Sequence, residues 1–284
     1  TNPEGWQKDK RITLNSPTDA IIYEVHVRDF SVSSESGIEL EGKYLAFTEE
    51  GTKNRYGFKT GIDHLKELGI THVHFLPVFD FATVNDEVKD DYNWGYDPYY
   101  YNVPEGSYAT NPADESRIIE FKKMVKALHD NGIGIIMDVV YNHTYHTKDS
   151  SFEKMAPGYF YRKEESKEKL ANGSGVGNEF ASEKPMARKF IINYAPYWAE
   201  EYHIDGFRFD LMRLIDKETM DKLEDKLHEI DSSILIYGEP WSALPPQLCK
   251  EEQMLKGAQK GMNIAAFNDH FRDAIKGDTD GDSR

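Results

Sequence analysis

Residues 203–211, HIDGFRFDL, set a cation and a carboxylate two positions apart in a short apolar stretch. On a strand, residues i and i+2 point to the same side, so Arg208 and Asp210 share one face while Phe207 and Phe209 share the other. A charge on an apolar strand is costly unless it is paired, and Arg208 is the partner at hand for Asp210. Two further segments repeat the pattern: Asp138 sits inside the β-branched and aliphatic run IIMDVVYNH, and Glu239 lies near the end of ILIYGEPW. Carboxylates at or near the ends of three separate strands converge on one spot only if those strands run parallel in one sheet or barrel.

Outward from this stretch, strand-like and helix-like segments alternate. Strands are predicted at 20–30, 71–78, 133–143, 206–211, 234–241 and 263–269. Ile62, Leu65 and Leu68 mark one face of a short helix stopped by Gly69, and Ile118, Phe121, Val125 and Leu128 mark a second ended by Gly132. A third runs over 185–202 with a kink expected at Pro196, and Met220, Leu223, Leu227 and Ile230 define a fourth. Residues 31–60 and 80–111 read as long loops, and 144–184 as an excursion above the sheet.

The alternation predicts an α/β fold with a parallel sheet, specifically a (β/α)8 TIM-type barrel. A full barrel takes ~250 residues without large insertions, and this chain spends much of its length on two, so the barrel is expected to be truncated after about the sixth strand. The expected organisation is an N-terminal segment at 1–19, then a partial barrel over 20–284 with a small insertion at 144–184 after the third strand. A complete open, doubly wound sheet is the alternative, weakened by the lack of a glycine-rich phosphate loop after the first strand.

Composition narrows the function. The formal charge of −16 over 284 residues disfavours nucleic acid or an anionic membrane as partner and suits a neutral substrate in an acidic cleft. One cysteine, Cys249, cannot form an internal disulfide, and the compartment, secreted or cytoplasmic, stays open. No apolar run approaches the ~18 residues of a membrane span, and no signal peptide opens the chain. A threonine at position 1 points to a processed or partial polypeptide.

Asp210 and Glu239 are candidates for paired-carboxylate chemistry, in which one acid protonates a glycosidic oxygen and the other carboxylate attacks the anomeric carbon or activates water. Neighbouring parallel strands lie about 4.8 Å apart, close to the ~5 to 5.5 Å separation of a retaining pair, so retention is expected. Arg208 is expected to keep Asp210 ionised as nucleophile, and Glu239, in an apolar setting, to hold the proton. Sugar rings present apolar faces as well as hydroxyls, and residues 92–101 hold five tyrosines and Trp94, with Asn93 and Asp97 among them. Asn142 and His143 follow the third strand, where barrel active sites are built.

A metallohydrolase is the competing enzyme reading. His72 and His74 share one side of a strand and His143 and His146 are a helical turn apart in spacing, but the first pair sits too deep to meet a substrate. The acidic tail DTDGDSR departs from a calcium loop, with Gly281 at its fourth place and no closing glutamate.

DVVYNH at 138–143, GFRFD at 206–210 and GEPW at 238–241 resemble the first three sequence regions of the α-amylase family of glycoside hydrolases. YNWGYDP at 92–98 resembles the motif that marks type I pullulanases within it, and the similarity runs from about residue 20 to 277. The resemblance implies a (β/α)8 barrel that cleaves α-1,6 branch linkages in pullulan and starch-like glucans with retention. It implies Asp210 as nucleophile, Glu239 as acid/base and Arg208 as the residue orienting the nucleophile. Asp138, Asn142 and His143 match substrate-binding residues, Tyr96 the tyrosine stacked under the sugar with Asp97 beside it, and Trp94 and Trp241 further substrate contacts. No cofactor is required for the chemistry, and a structural calcium ion is compatible with it. The family's fourth region, which supplies a third carboxylate, has no counterpart in these residues, so the chain alone is expected to be weakly active or inactive. Isoamylase-like or amylopullulanase-like specificity, or non-hydrolytic α-glucan binding, are the alternatives.

Overall fold

A computed structural model describes residues 1–88, 91–164 and 169–277. Six parallel strands form one sheet: β1 (Ile22–Val25), β2 (His72–Phe75), β5 (Gly134–Val139), β6 (Gly206–Phe209), β7 (Leu235–Gly238) and β8 (Ala265–Ala266), in that spatial order. Between β2 and β5 a two-stranded antiparallel hairpin, β3 (Phe79–Phe81) and β4 (Pro98–Pro104), rises from the sheet. The helices are α1 (Gly61–Leu68), α2 (Ser116–Asp130), α3 (Ser151–Met155), α4 (Pro185–Tyr202), α5 (Lys217–Ile230) and α6 (Asp269–Lys276). This is the strand–helix order of a (β/α)8 barrel, six of whose strands are present among the described residues. The sheet is open between β1 and the β7–β8 edge, where Ile22, Tyr237, Met262 and Phe267 line a cavity of about 720 Å³.

The helices follow their sequence signals. Asp216 caps α5, its side chain accepting from Thr219 N, and Met220, Leu223 and Leu227 bury the inner face. Gly69 ends α1 in the left-handed conformation, and Pro185 starts α4, where its missing N–H costs nothing. α4 is assigned as one helix from Pro185 to Tyr202, with Pro196 inside it.

Three expectations are corrected. The stretch 80–111 is not a plain loop. It carries most of the β3–β4 hairpin, which its prolines and glycine had hidden, and Phe79, Phe81 and Tyr101 are core residues. The stretch 31–60 contributes a 3₁₀ turn, Tyr44–Thr48, whose Tyr44, Ala46 and Phe47 are fully buried; Phe47 meets Phe75 edge-on at 5.0 Å. The first strand stops at Val25 rather than Phe30, because the chain turns there: Phe30 N donates to His26 O and Val32 N to Arg28 O. The acidic tail at 278–284 lies outside the described residues. No helix among the described residues is long and apolar enough to cross a membrane.

At the N-terminal ends of β5 and β6 an ion network ties the first residues of the chain to the barrel. Asp205 accepts from Ile135 N at 2.7 Å and Ile12 N at 2.8 Å and meets His129 Nε2 at 2.8 Å. Asp9 meets His129 Nδ1 at 2.9 Å and His203 Nδ1 at 2.7 Å, and Trp6 stacks on the His203 ring. Burial alone would lower the His129 pKa, but its bonds to Asp205 and Asp9 outweigh that and lift it to about 9. A histidine raised on folding stabilises fully below its ordinary 6.5 and loses that contribution as pH rises through about 9. The effect is on the order of 3 kcal/mol. Chemical denaturation across this window should show falling stability in the parent chain and a flatter profile in His129→Asn; equal slopes would contradict the assignment.

Candidate active site

Sheet register assembles the charged residues. Asp138 on β5 pairs with Arg208 on β6, and Arg208 with Tyr237 on β7. One step beyond the strands' C-terminal ends come Asp210 and Glu239, whose amides donate to Val139 O and Phe209 O at 3.1 Å. By the two-residue alternation, Glu24, His74, Asp138, Arg208, Asp210, Tyr237 and Glu239 share the inner side of the sheet. Met137, Phe207 and Ile236 point the other way into the apolar core. Gly206 is needed below Arg208, since a Cβ there would lie 3.0 Å from side-chain carbons of Ile136 and Leu235.

Arg208 divides its guanidinium among three carboxylates. Nη1 donates to Asp138 at 3.0 and 3.1 Å and to Asp210 at 3.0 Å, and Nη2 donates to Glu239 at 2.6 Å. The rings of Tyr96 and Phe267 flank the cation, with centroids 5.9 and 5.7 Å from Cζ. Each carboxylate also takes a second donor. Tyr96 Oη donates to Asp138 at 2.8 Å, Asn142 Nδ2 to Asp210 Oδ2 at 2.8 Å, and Leu211 N to Glu239 Oε2 at 3.0 Å. Leu211 reaches Glu239 from a left-handed conformation, φ 40°, uncommon for a branched side chain and typical of functional sites.

One cation against three carboxylates, two buried and Glu239 half-buried, leaves excess negative charge. Burial, then Asp138, push Asp210 up to about 7, with Glu239 adding to the rise and with Arg208 and Asn142 pulling it down. Burial also raises Glu239, opposed by Arg208 and the Leu211 amide. Arg208 therefore does not by itself hold Asp210 far below neutrality, as its position beside it suggested, because burial and Asp138 outweigh it. Burial would lower the Arg208 pKa, but the three carboxylates outweigh that and hold it charged. Burial and Asp138 push the Tyr96 phenol upward, so it acts as a neutral donor.

The structure brings Asp138, Arg208, Asp210, Glu239, Asn142, His143 and Tyr96 together. His143 Nε2 lies 2.8 Å from Tyr96 O and Nδ1 2.6 Å from Asn142 Oδ1, and burial lowers its pKa. A neutral imidazole has one N–H for these two acceptors. Gly95 is required for Tyr96 to reach over the barrel: its φ is 94° and a Cβ would lie 2.8 Å from Pro77 O. Asp97 does not join the carboxylates. It accepts from Thr83 N at 3.0 Å and Asn93 Nδ2 at 2.9 Å, fixing its own loop. Trp94 stands exposed at the rim and, with Tyr96, Asp97, His143 and Tyr145, lines a cavity of about 410 Å³. Trp241 is half-buried, its ring 6.1 Å from Phe267.

No helix forms at 143–146, and His146 packs on Tyr145 and Tyr99. His72 Nδ1 meets Thr71 Oγ1, and His74 lies 3.5 Å from both Asp138 and Glu24. No group of three or more His, Cys, Asp or Glu among the described residues is arranged to hold a metal ion. Three neighbours of the cluster were not foreseen. Tyr237 and Phe267 sit two positions from Glu239 and Ala265, so the same alternation would have found them. Nothing in the sequence marks the left-handed turn at Leu211.

The family model for the α-amylase catalytic domain matches residues 30–169. The chain belongs to the α-amylase family of glycoside hydrolases. A pullulanase of Bacillus subtilis (strain 168) is 48% identical over 268 residues, covering 94% of this chain and 37% of that protein. The chloroplastic pullulanase 1 of Arabidopsis thaliana is 36% identical, over 97% of this chain and 33% of its own length. The solved structure of the pullulanase from Bacillus acidopullulyticus superposes with a TM-score of 0.96 at 51% identity, over 98% of this chain and 34% of that one. The chain thus spans about a third of the length of these relatives.

If excess charge from Asp138 is what lifts Asp210, Asp138→Asn should move the Asp210 titration from about 7 toward lower pH. Infrared difference spectra of the carboxyl stretch across that range will read it; an unchanged midpoint would mean burial alone sets it.

Proposed function

We propose that the chain supplies the carboxylate centre of a retaining α-glucan debranching hydrolase acting on α-1,6 linkages of pullulan and starch-like glucans. The reading is supported by Asp210 and Glu239 standing at the ends of adjacent parallel strands, bridged by one guanidinium. Adjacent strands are about 4.8 Å apart, which suits the short spacing of a nucleophile and acid/base pair. The pullulanase relatives support the linkage.

In this mechanism the Asp210 carboxylate attacks the anomeric carbon as the bond to the leaving glycosidic oxygen breaks. Glu239 gives its proton to that oxygen, leaving a glycosyl ester on Asp210. Water then attacks the same carbon, losing its proton to Glu239 and releasing Asp210. The excess negative charge serves both roles: it favours one proton shared by the carboxylates near neutrality and stabilises the positive charge that grows on the sugar. Arg208 and Asn142 orient Asp210, the Leu211 amide orients Glu239, and the Tyr96 ring offers an apolar face to the sugar, with His143 beside it. Trp94 and Trp241 lie further out, on the path of neighbouring sugars. No cofactor enters these steps, and a structural calcium ion would act on the fold only.

The test uses the protein that carries these residues. Pullulan hydrolysis followed by NMR should release sugar of retained anomeric configuration, and Asp210→Asn and Glu239→Gln should each lower turnover at least about 100-fold. Inverted product, or near-normal rates in either variant, would overturn the assignment. An isoamylase of Oryza sativa is 34% identical over 76% of the chain. Comparison of pullulan with glycogen therefore decides the branch preference.

A further inference from the structure

Outside the carboxylate cluster, the β3–β4 hairpin carries an irregularity with a direct consequence for its surface. In the antiparallel pairing Asp80 faces Tyr100 while Phe81 faces Pro98, so Tyr99 is an extra residue in β4. In a regular strand Tyr99 and Tyr100 would point to opposite sides. With the bulge both are exposed, 45% and 51%, and their rings meet edge-on at 4.4 Å. Two aromatics set side by side in solvent gain nothing for the core, and the core here is already filled from the same strand by Tyr101.

The rings do not end with this pair. Tyr99 meets His146 at 6.4 Å and His146 meets Tyr145 at 4.0 Å, both also exposed. Tyr145 lines the 410 Å³ cavity with Trp94, Tyr96 and His143, and Thr144 is common to that cavity and to a smaller one of about 130 Å³. The smaller cavity is lined by Tyr99, Tyr100 and His146 together with Asp149, Ser150 and Lys154. An aromatic track thus leaves the mouth of the candidate active site and runs over the hairpin to a cleft that pairs ring faces with charged and hydroxyl groups. That is the chemistry of a carbohydrate chain, whose rings stack through apolar faces and whose rims make hydrogen bonds.

We infer that Tyr145, His146, Tyr99 and Tyr100 form an outer binding track for a linear α-glucan segment extending from the cleft. This rests on the α-glucan reading of the site. The test is a Tyr99→Ala/Tyr100→Ala double variant in the protein that carries these residues; both side chains are exposed. Its kcat and KM are measured on long-chain branched glucan and on a short branched oligosaccharide, together with maltoheptaose affinity by calorimetry. The track predicts a KM for the long substrate raised about five-fold or more, kcat and short-substrate KM within about two-fold of the parent, and weakened maltoheptaose binding. Tyr99→Phe/Tyr100→Trp, which keeps the rings, should restore the parent values. Normal turnover with unchanged long-substrate KM and maltoheptaose affinity would overturn the track while leaving the hydrolase reading intact. Ring-dependent maltoheptaose binding in a parent that cleaves no α-glucan would do the reverse.

Discussion

The site depends on one guanidinium having to serve three carboxylates. Arg208 is buried, and so is Asp138, so neither charge could persist without the other. The pair alone would be a neutral internal ion bridge of ordinary kind. Adding Asp210 and Glu239 at the rim makes the cluster anionic, and the proposed function rests on that surplus. The surplus is supported by further donors: Asn142 and the Leu211 amide hold the oxygens of Asp210 and Glu239 that Arg208 leaves free, and Tyr96 adds a second donor to Asp138 Oδ2. A left-handed leucine is a local cost accepted to aim one of those donors.

The rest of the fold serves to keep these groups in register. Parallel pairing sets Asp138, Arg208 and Tyr237 side by side, and the next step brings Asp210 and Glu239 to the same rim. A shift of one residue in β6 would send Arg208 into the apolar layer and Phe207 or Phe209 into the carboxylates, so the apolar packing and the charge cluster enforce the same register. At the opposite ends of the strands, Asp205 and His129 fasten β5 and β6 to the first residues of the chain. In that network each carboxylate meets a histidine, whereas at the rim three carboxylates share one guanidinium.

Much of this was legible in the sequence because charges on apolar strands are rare and the two-residue alternation says which way they face. The helices α1, α2, α4 and α5 were legible from apolar spacing, with Gly69 and Pro185 as stop and start, whereas the five-residue α3 was too short to show a period. What stayed hidden had physical reasons. In the β3–β4 hairpin, β4 is bounded by Pro98 and Pro104 and broken by a bulge, so it shows no clean alternation. The buried turn at Tyr44–Thr48 is too short for a periodic signal. His143 and His146 have helical spacing in a segment that folds without a helix, and spacing without a helix places nothing. Leu211 shows no signal, since its conformation is imposed by the neighbours it joins.

The electrostatics of Asp210 show why position in a sequence is a poor guide to protonation. An arginine two residues away suggests a strongly ionised carboxylate, yet that arginine faces two other anions as well, and burial and Asp138 dominate. For a reaction that only needed a stable carboxylate this would be a defect. For the proposed cleavage of an acetal it is an advantage, because the developing charge on the sugar is positive and an over-anionic cluster gains most when that charge appears. On the proposed function, the cost of holding unneutralised charge in the free protein and the stabilisation offered to the transition state come from the same electrostatic imbalance. Neutralising Asp210 with a dedicated second cation would make the barrel more comfortable and the cluster less useful.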